Sequence, residues 1–161
     1  MKYIIATDHA GVDVKNFTKE LLEQKGHEVL DLGPFSTDRV DYPDFAKKLS
    51  ETVVKTAENF AENFDENLDW RDSGVFGILI CGTGIGMSIT ANKVNGVRAG
   101  LCHDAYTSAM ARAHNNANVL CFGARTSGAG TIESIIDAWD STPFEGGRHL
   151  DRVKKINNID R

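Results

Sequence analysis

The stretch "ILICGTGIGMSITANK", residues 78–93, runs from an apolar segment through three alternate glycines into a segment of helical character. An apolar run without strict alternation is the pattern of a strand buried on both faces, as in parallel sheets. Gly82, Gly84 and Gly86 permit a tight strand-to-helix turn. They also let successive backbone N–H groups face an anion at a helix N-terminus. Spacing alone leaves both readings open. Cys81 stands on the lip of this loop, where it is expected to be more exposed than a core filler. A free thiol titrates near about 8.5, and a helix N-terminus or nearby cations can make its thiolate available as a base. The competing reading is a small buried hydrophobe, which fits Cys102 and Cys121 well. GxGxG is not the GxGxxG dinucleotide fingerprint, and no acid closes a second strand in the ribose-binding manner, although Asp31 comes near.

Working outward, the apolar runs "YIIA", "EVLDLG", "VFGILI" and "ANVLCFG", with a weaker "VRAGLC", alternate with segments of helical period. Val14, Phe17, Leu21 and Leu22 form one stripe closed by Gly26, and Phe45, Leu49, Val53, Ala57, Phe60 and Phe64 form another opened by Pro43. Strands alternating with helices predict βαβ units. The expected fold is therefore α/β, a three-layer α/β/α Rossmann-like arrangement of about five parallel strands in a single domain. Residues 56–73 form an acidic segment expected to extend a helix and then become a solvated loop. A C-terminal helix is expected over about 147–158, free to reach a partner subunit.

Composition narrows the function. With 161 residues, 41% hydrophobic and 25% charged, the chain suits one well-cored globular domain. A net charge of −5 argues against nucleic-acid binding, which needs a basic face. It does not oppose one phosphorylated ligand held by a few arginines. No run approaches the roughly 20 apolar residues of a membrane span, and "MKYIIATDHAG" is expected to be a first strand, not a signal peptide. Three cysteines without a CxxC pair, and five histidines without HxH or HExxH spacing, favour a reducing cytoplasm and no metal site.

Ligands of open α/β sheets bind beyond the carboxyl ends of the strands. Asp8 and His9 follow the first strand, and Cys81 and Thr83 follow the third, so these four residues can converge in one crevice. His114 and Asn115 precede the last strand and Arg125 follows it. Arg148 and Arg152, four apart, share one helix face and suit a phosphate dianion, or simply make a solvated charged helix.

The segments "ATDHAG", "DYPDFA", "ICGTGIGMSITANKVNGVRAGLCHD", "ARAHNNANVLCFGAR" and "FEGGRHLDRV" appear in that order along nearly the whole chain. In this the chain resembles the ribose-5-phosphate isomerase B family, a branch of the RpiB/LacA/LacB sugar-phosphate isomerases. The resemblance implies a homodimer or tetramer with its active site at the subunit interface, no cofactor and no metal. It implies that Cys81 is the base shuttling a proton between C1 and C2, assisted by Thr83. Some relatives carry a glutamate where Met87 stands, and Met87 cannot accept a proton. Gly82, Gly84, Ile85, Gly86 and Ser88 match the loop whose amides hold the enediolate. Asp8 and His114 resemble the ring-opening pair, and Asn115 a contact to substrate oxygens. His9, Arg125, Arg148 and Arg152 resemble the phosphate group, part of it from a neighbouring subunit. The expected reaction interconverts D-ribose 5-phosphate and D-ribulose 5-phosphate. Allose 6-phosphate, galactose 6-phosphate or a tetrose phosphate are the alternative substrates, and a non-catalytic sugar-phosphate-binding module is the alternative of another class.

Overall fold

In the computed structural model, residues 1–60 and 69–159 are described. Five parallel strands, β1 (Lys2–Thr7), β2 (Glu28–Asp31), β3 (Val75–Cys81), β4 (Ala99–Leu101) and β5 (Val119–Gly123), stand in the order β2-β1-β3-β5-β4. Among the described residues, six helices connect and flank them: α1 (Val12–Gln24), α2 (Tyr42–Phe60), α3 (Ile85–Ala91), α4 (Ala105–Asn115), α5 (Ala129–Ser141) and α6 (Arg148–Asn157). The chain leaves β1 towards β2 and later leaves β3 towards β5 and β4. The direction of winding thus reverses between β1 and β3, where such folds open a crevice.

The central strands bear out the sequence pattern: every residue of β3 and β5 is buried, and so is β1 beyond Lys2. β2 departs from it. As an edge strand it alternates, with Glu28 and Leu30 exposed. Packing of α2 depends on Gly77 at the centre of β3, where a Cβ would lie 2.7 Å from Leu49 and 2.9 Å from Val53. Ala46, Leu49, Val53 and Ala57 are fully buried against the sheet. Phe64 of the expected stripe lies outside the described residues.

α1 packs Val14, Leu21 and Leu22 against the core as expected, but Phe17 falls outside the stripe. Phe17 is exposed, whereas Lys15 is fully buried and ion-paired with Asp31, its ammonium 4.7 Å from the Phe35 ring centroid. The long apolar lysine stem crosses the end of β2, so its charged tip meets a carboxylate there. The other Asp31 oxygen accepts from Gly33 N at 2.8 Å. Both oxygens are thus engaged in local structure at the end of β2.

The acidic segment 56–73 also differs in part. α2 continues through Phe60, residues 61–68 lie outside the described residues, and the far end is not a solvated loop. A 3₁₀ turn, Trp70–Ser73, buries the Trp70 ring, whose Nε1 donates to Val75 O at 2.7 Å. α6 starts at Arg148 after Gly146 and Gly147, both at positive φ. It is docked on its own chain through buried His149 and Val153, and Asn157 accepts from Arg98 at 3.1 Å. Arg148 and Arg152 stay exposed. Among the described residues, no helix is long and apolar enough to cross a membrane.

Candidate active site

At the carboxyl ends of β1 and β3 the register pairs Thr7 with Ile80, so Asp8 and Cys81 emerge side by side. Asp8 N donates to Ile80 O at 3.2 Å, and its carboxylate Oδ1 accepts from Ala10 N at 2.9 Å. His9 is half-buried, and its Nδ1 accepts from Val40 N at 3.4 Å, which ties it to the loop after β2.

Cys81 is not exposed as expected: only 5% of it is accessible. Its sulfur sits beneath the glycine loop and accepts from Gly84 N at 3.0 Å, a donor that gives negative charge on sulfur a partner. The loop must pass close to β5, and Gly84 does so at φ +78, where a Cβ would lie 2.6 Å from Leu101 Cδ1 and 2.8 Å from the Phe122 carbonyl carbon. Thr83 is exposed, and its hydroxyl accepts from Ile85 N at 3.4 Å. The next amides of the α3 first turn, Gly86 and Met87, have no carbonyl one turn back to bond. Ser88 differs from the expectation that its amide faces the substrate. Its N–H is committed to Gly84 O at 3.0 Å and its hydroxyl to Ile85 O at 2.9 Å, because it already lies in the second half of the turn. Met87 is fully buried in the core.

Arg125 joins this group. Its N donates to Gly82 O at 3.0 Å, Ala124 N donates to Cys81 O at 2.8 Å, and the exposed guanidinium lies over Gly82. Tyr42 was not anticipated. Its ring covers Gly86, where a Cβ would come within 2.6 Å of Cζ. The motif "DYPDFA" was the available signal, but nothing in it reveals that α2 starts beside α3.

The three thiols are not equivalent. Burial, and then the Asp104 carboxylate, push Cys102 up to about 12, and burial raises Cys121 well above the ordinary range. Both remain protonated at working pH, whereas Cys81 has a donor on its sulfur at the mouth of the crevice. Iodoacetamide at pH 8 is expected to label Cys81 ahead of the other two, with activity lost in step. Peptide mass spectrometry against residual activity checks this, and first labelling at Cys102 would refute it.

The remaining expected residues lie elsewhere. α4 starts beyond the carboxyl end of β4 and runs back, so His114 and Asn115 arrive near the amino ends of β3 and β5, where Asn116 Oδ1 accepts from Trp70 N and Asn118 O accepts from Gly77 N. There the His114 and His149 rings stack with centroids 4.2 Å apart and planes within 4°. Glu145 Oε2 lies 3.8 Å from His114 Nε2 and 3.5 Å from His149 Nε2. Arg148 Nε donates to His149 Nε2 at 3.4 Å. Burial, and then the charges of His114 and Arg148, lower the His149 pKa from its ordinary value. Asn115 turns its carbonyl to Arg98 Nε at 3.2 Å.

The trio His114, Glu145 and His149 has the donor types of a metal site. Its parallel rings aim their lone pairs side by side and not at one point, and Arg148 and Arg152 oppose a cation. The seven residues of β3 span about 20 Å. One chain therefore gathers Asp8, His9, Cys81, Thr83 and Arg125 at one end of the sheet and His114, Arg148 and Arg152 at the other.

The Ribose/Galactose Isomerase family model matches residues 3–156. The chain is 38% identical over 160 residues to ribose-5-phosphate isomerase B of Escherichia coli (strain K12), covering 99% of this chain and 97% of that one. Among solved structures, ribose-5-phosphate isomerase B of Clostridium thermocellum superposes with a TM-score of 0.86 at 40% identity, covering 99% of this chain and 97% of the other. The Thermotoga maritima ribose 5-phosphate isomerase gives 0.85 at 44% identity, covering 98% of each chain. With the doubly wound sheet, the cysteine-bearing glycine loop and agreement over nearly the full length, this chain belongs to the ribose/galactose isomerase family of sugar phosphate isomerases.

Proposed function

We propose that the protein interconverts D-ribose 5-phosphate and D-ribulose 5-phosphate at a site completed by a second copy of the chain. The observation that carries this reading is Cys81 held under the Gly84 amide and beside Asp8, with the Arg125 guanidinium over the neighbouring Gly82. Aldose–ketose isomerisation removes a weakly acidic proton next to a carbonyl, which needs a positioned base and a partner for the enediolate oxygen. The Cys81 thiolate takes the C2 proton of the open-chain aldose, and the resulting thiol returns it to C1. The Thr83 hydroxyl passes a proton between O1 and O2. Loop amides meet the negative oxygen in between.

The opposite half, His114, Asn115, Arg148 and Arg152, comes from the second copy. In this reading His114 works with Asp8 to open the furanose ring, and the arginines join His9 and Arg125 on the phosphate. The apolar rim of the Cys81 half favours a partner there: Ile85 and Ile89 on α3 are 50% and 58% exposed, and Tyr42 40%.

Three measurements test this. Across five- and six-carbon aldose phosphates, kcat/KM is expected to be highest for ribose 5-phosphate; a six-carbon preference would reassign the substrate. Arg148→Ala is expected to raise KM by about 10- to 100-fold with a smaller change in kcat, because phosphate binding energy is lost remote from the reacting carbons. An unchanged KM would remove Arg148 from the site. Co-refolded Cys81→Ala and Arg148→Ala/Arg152→Ala chains are expected to recover about one quarter of wild-type activity, the statistical yield of intact sites in a symmetric dimer. No recovery would refute the shared site.

A further inference from the structure

We propose that His149 is a positioning residue of this site, setting the ring plane of His114 and the guanidinium of Arg148 together. The inference rests on the reading above, in which His114 acts on the sugar ring and Arg148 on its phosphate. His149 is 5% exposed, so its ring is fixed by packing, whereas His114 is half-buried and Arg148 exposed. It is the rigid member of the three. A stack with centroids 4.2 Å apart and planes within 4° leaves His114 one ring plane to occupy, because tilting or swinging the ring would break the contact.

The nitrogen contacts define a second task. Arg148 Nε–H points at His149 Nε2, a contact that needs a lone pair on that nitrogen and the neutral ring's proton on Nδ1, whereas Glu145 Oε2, 3.5 Å from the same nitrogen, favours the other tautomer. Burial and the neighbouring His114, Arg148 and Arg152 all favour this uncharged form, with Glu145 alone opposing it. Two stacked imidazolium rings would repel each other, so the stack is compatible with at most one charged member. The glycine pair 146–147, at positive φ, turns the chain so that Glu145 and Arg148 flank one ring. Glu145 is itself tied to the end of α4 through its N–H to Ala113 O at 3.0 Å.

Steady-state kinetics on His149→Phe and His149→Ala, with inorganic phosphate as competitive probe, separate the two tasks. His149→Phe keeps a flat ring but offers no acceptor. Its kcat is expected to fall no more than about threefold, while KM and the inhibition constant of phosphate rise about tenfold. His149→Ala loses the stack as well, and its kcat is expected to fall by about a further tenfold. In an Arg148→Ala background His149→Phe is expected to raise KM no further, since the group it positions is gone. A purely structural role predicts the opposite, with both variants losing kcat and KM in the same proportion alongside a lower Tm. That outcome, or wild-type KM and phosphate inhibition in His149→Phe, overturns the proposal. If the wild-type protein does not turn over ribose 5-phosphate, the substrate reading fails separately. Calorimetric phosphate binding then still decides: about tenfold weaker binding by His149→Phe supports the proposal, and unchanged binding overturns it.

Discussion

Cys81→Ala is expected to lower kcat for ribose 5-phosphate by about 10³-fold or more while leaving substrate binding within a few-fold. Loss of a positioned general base removes roughly 10²–10⁴ from a proton-transfer rate, and the surroundings hold no substitute. Met87, next in line along the loop, is buried and has no proton acceptor. Asp8 is adjacent and serves ring opening in the proposed reaction, but a carboxylate is ordinarily a far weaker base than a thiolate. Cys102 and Cys121 are held as thiols by burial. The substitution removes only a sulfur atom from a loop whose course is set elsewhere, by the close approach of Gly84 to β5 and by the Arg125–Gly82 and Ala124–Cys81 backbone bonds. Binding measured by calorimetry on the inactive variant should therefore remain. Turnover within tenfold of wild type would show that another group takes the proton. Loss of binding together with turnover would show that Cys81 holds the loop and not the proton.

The second large effect is on stability. Asp69→Ala is expected to destabilise the fold by about 3–5 kcal/mol, the range for stranding one member of a buried ion pair. Arg112 is fully buried between the Phe76 and Trp139 rings, 4.7 and 5.7 Å from their centroids, and Asp69 Oδ1 accepts from its Nη2 at 2.6 Å. Among the described residues, without that carboxylate the guanidinium keeps neutral acceptors, Ala117 O at 2.6 Å and Asn116 Oδ1 at 3.2 Å. Asp69 also accepts from Arg71 N at 3.0 Å and Phe144 N at 2.9 Å. It thereby fastens the 3₁₀ turn and the strap that carries Glu145 towards His149. Replacing Arg112 by Met in the same chain should recover part of the loss, since a neutral pair leaves no stranded charge. Denaturant unfolding measures both; a loss under about 1 kcal/mol for Asp69→Ala would refute the account.

The same carboxylate sets a pH dependence. Burial alone would raise the Asp69 pKa, but the Phe144 and Arg71 N–H groups and the Arg112 charge more than reverse this and hold it below the usual carboxylate range. A group depressed in the folded state contributes stability that is complete above its unfolded pKa, about 3.9, and is lost as pH falls through the lower folded value. Asp69→Asn should therefore lessen the loss of stability below about pH 4, even though the variant is weaker at neutrality.

Sequence alone determined the strand count, the α/β class and the gathering of Asp8, Cys81 and Thr83 at one end of the sheet. Those features are local: apolar runs declare buried strands, and Asp8, Cys81 and Thr83 each follow a strand end directly. The family motifs added His114, Asn115, Arg148 and Arg152, which no spacing argument could join to Cys81. What failed were inferences needing the rotation or exposure of an element. Phe17 of the expected stripe is exposed, and Lys15, outside that stripe, is buried because the Asp31 carboxylate meets its tip. Trp70 proved to be core because Val75 O and Asn116 Oδ1, 5 and 46 residues away, take up its two N–H groups. Tertiary structure alone decided that Cys81 lies buried under an amide, that Tyr42 covers Gly86, and that His149 stacks on His114. It also decided that the expected site residues occupy opposite ends of one sheet. The reason is the crossover: a helix following a strand carries the chain back to the sheet's amino end, so residues at the end of α4 lie a full strand length from those at the start of α3.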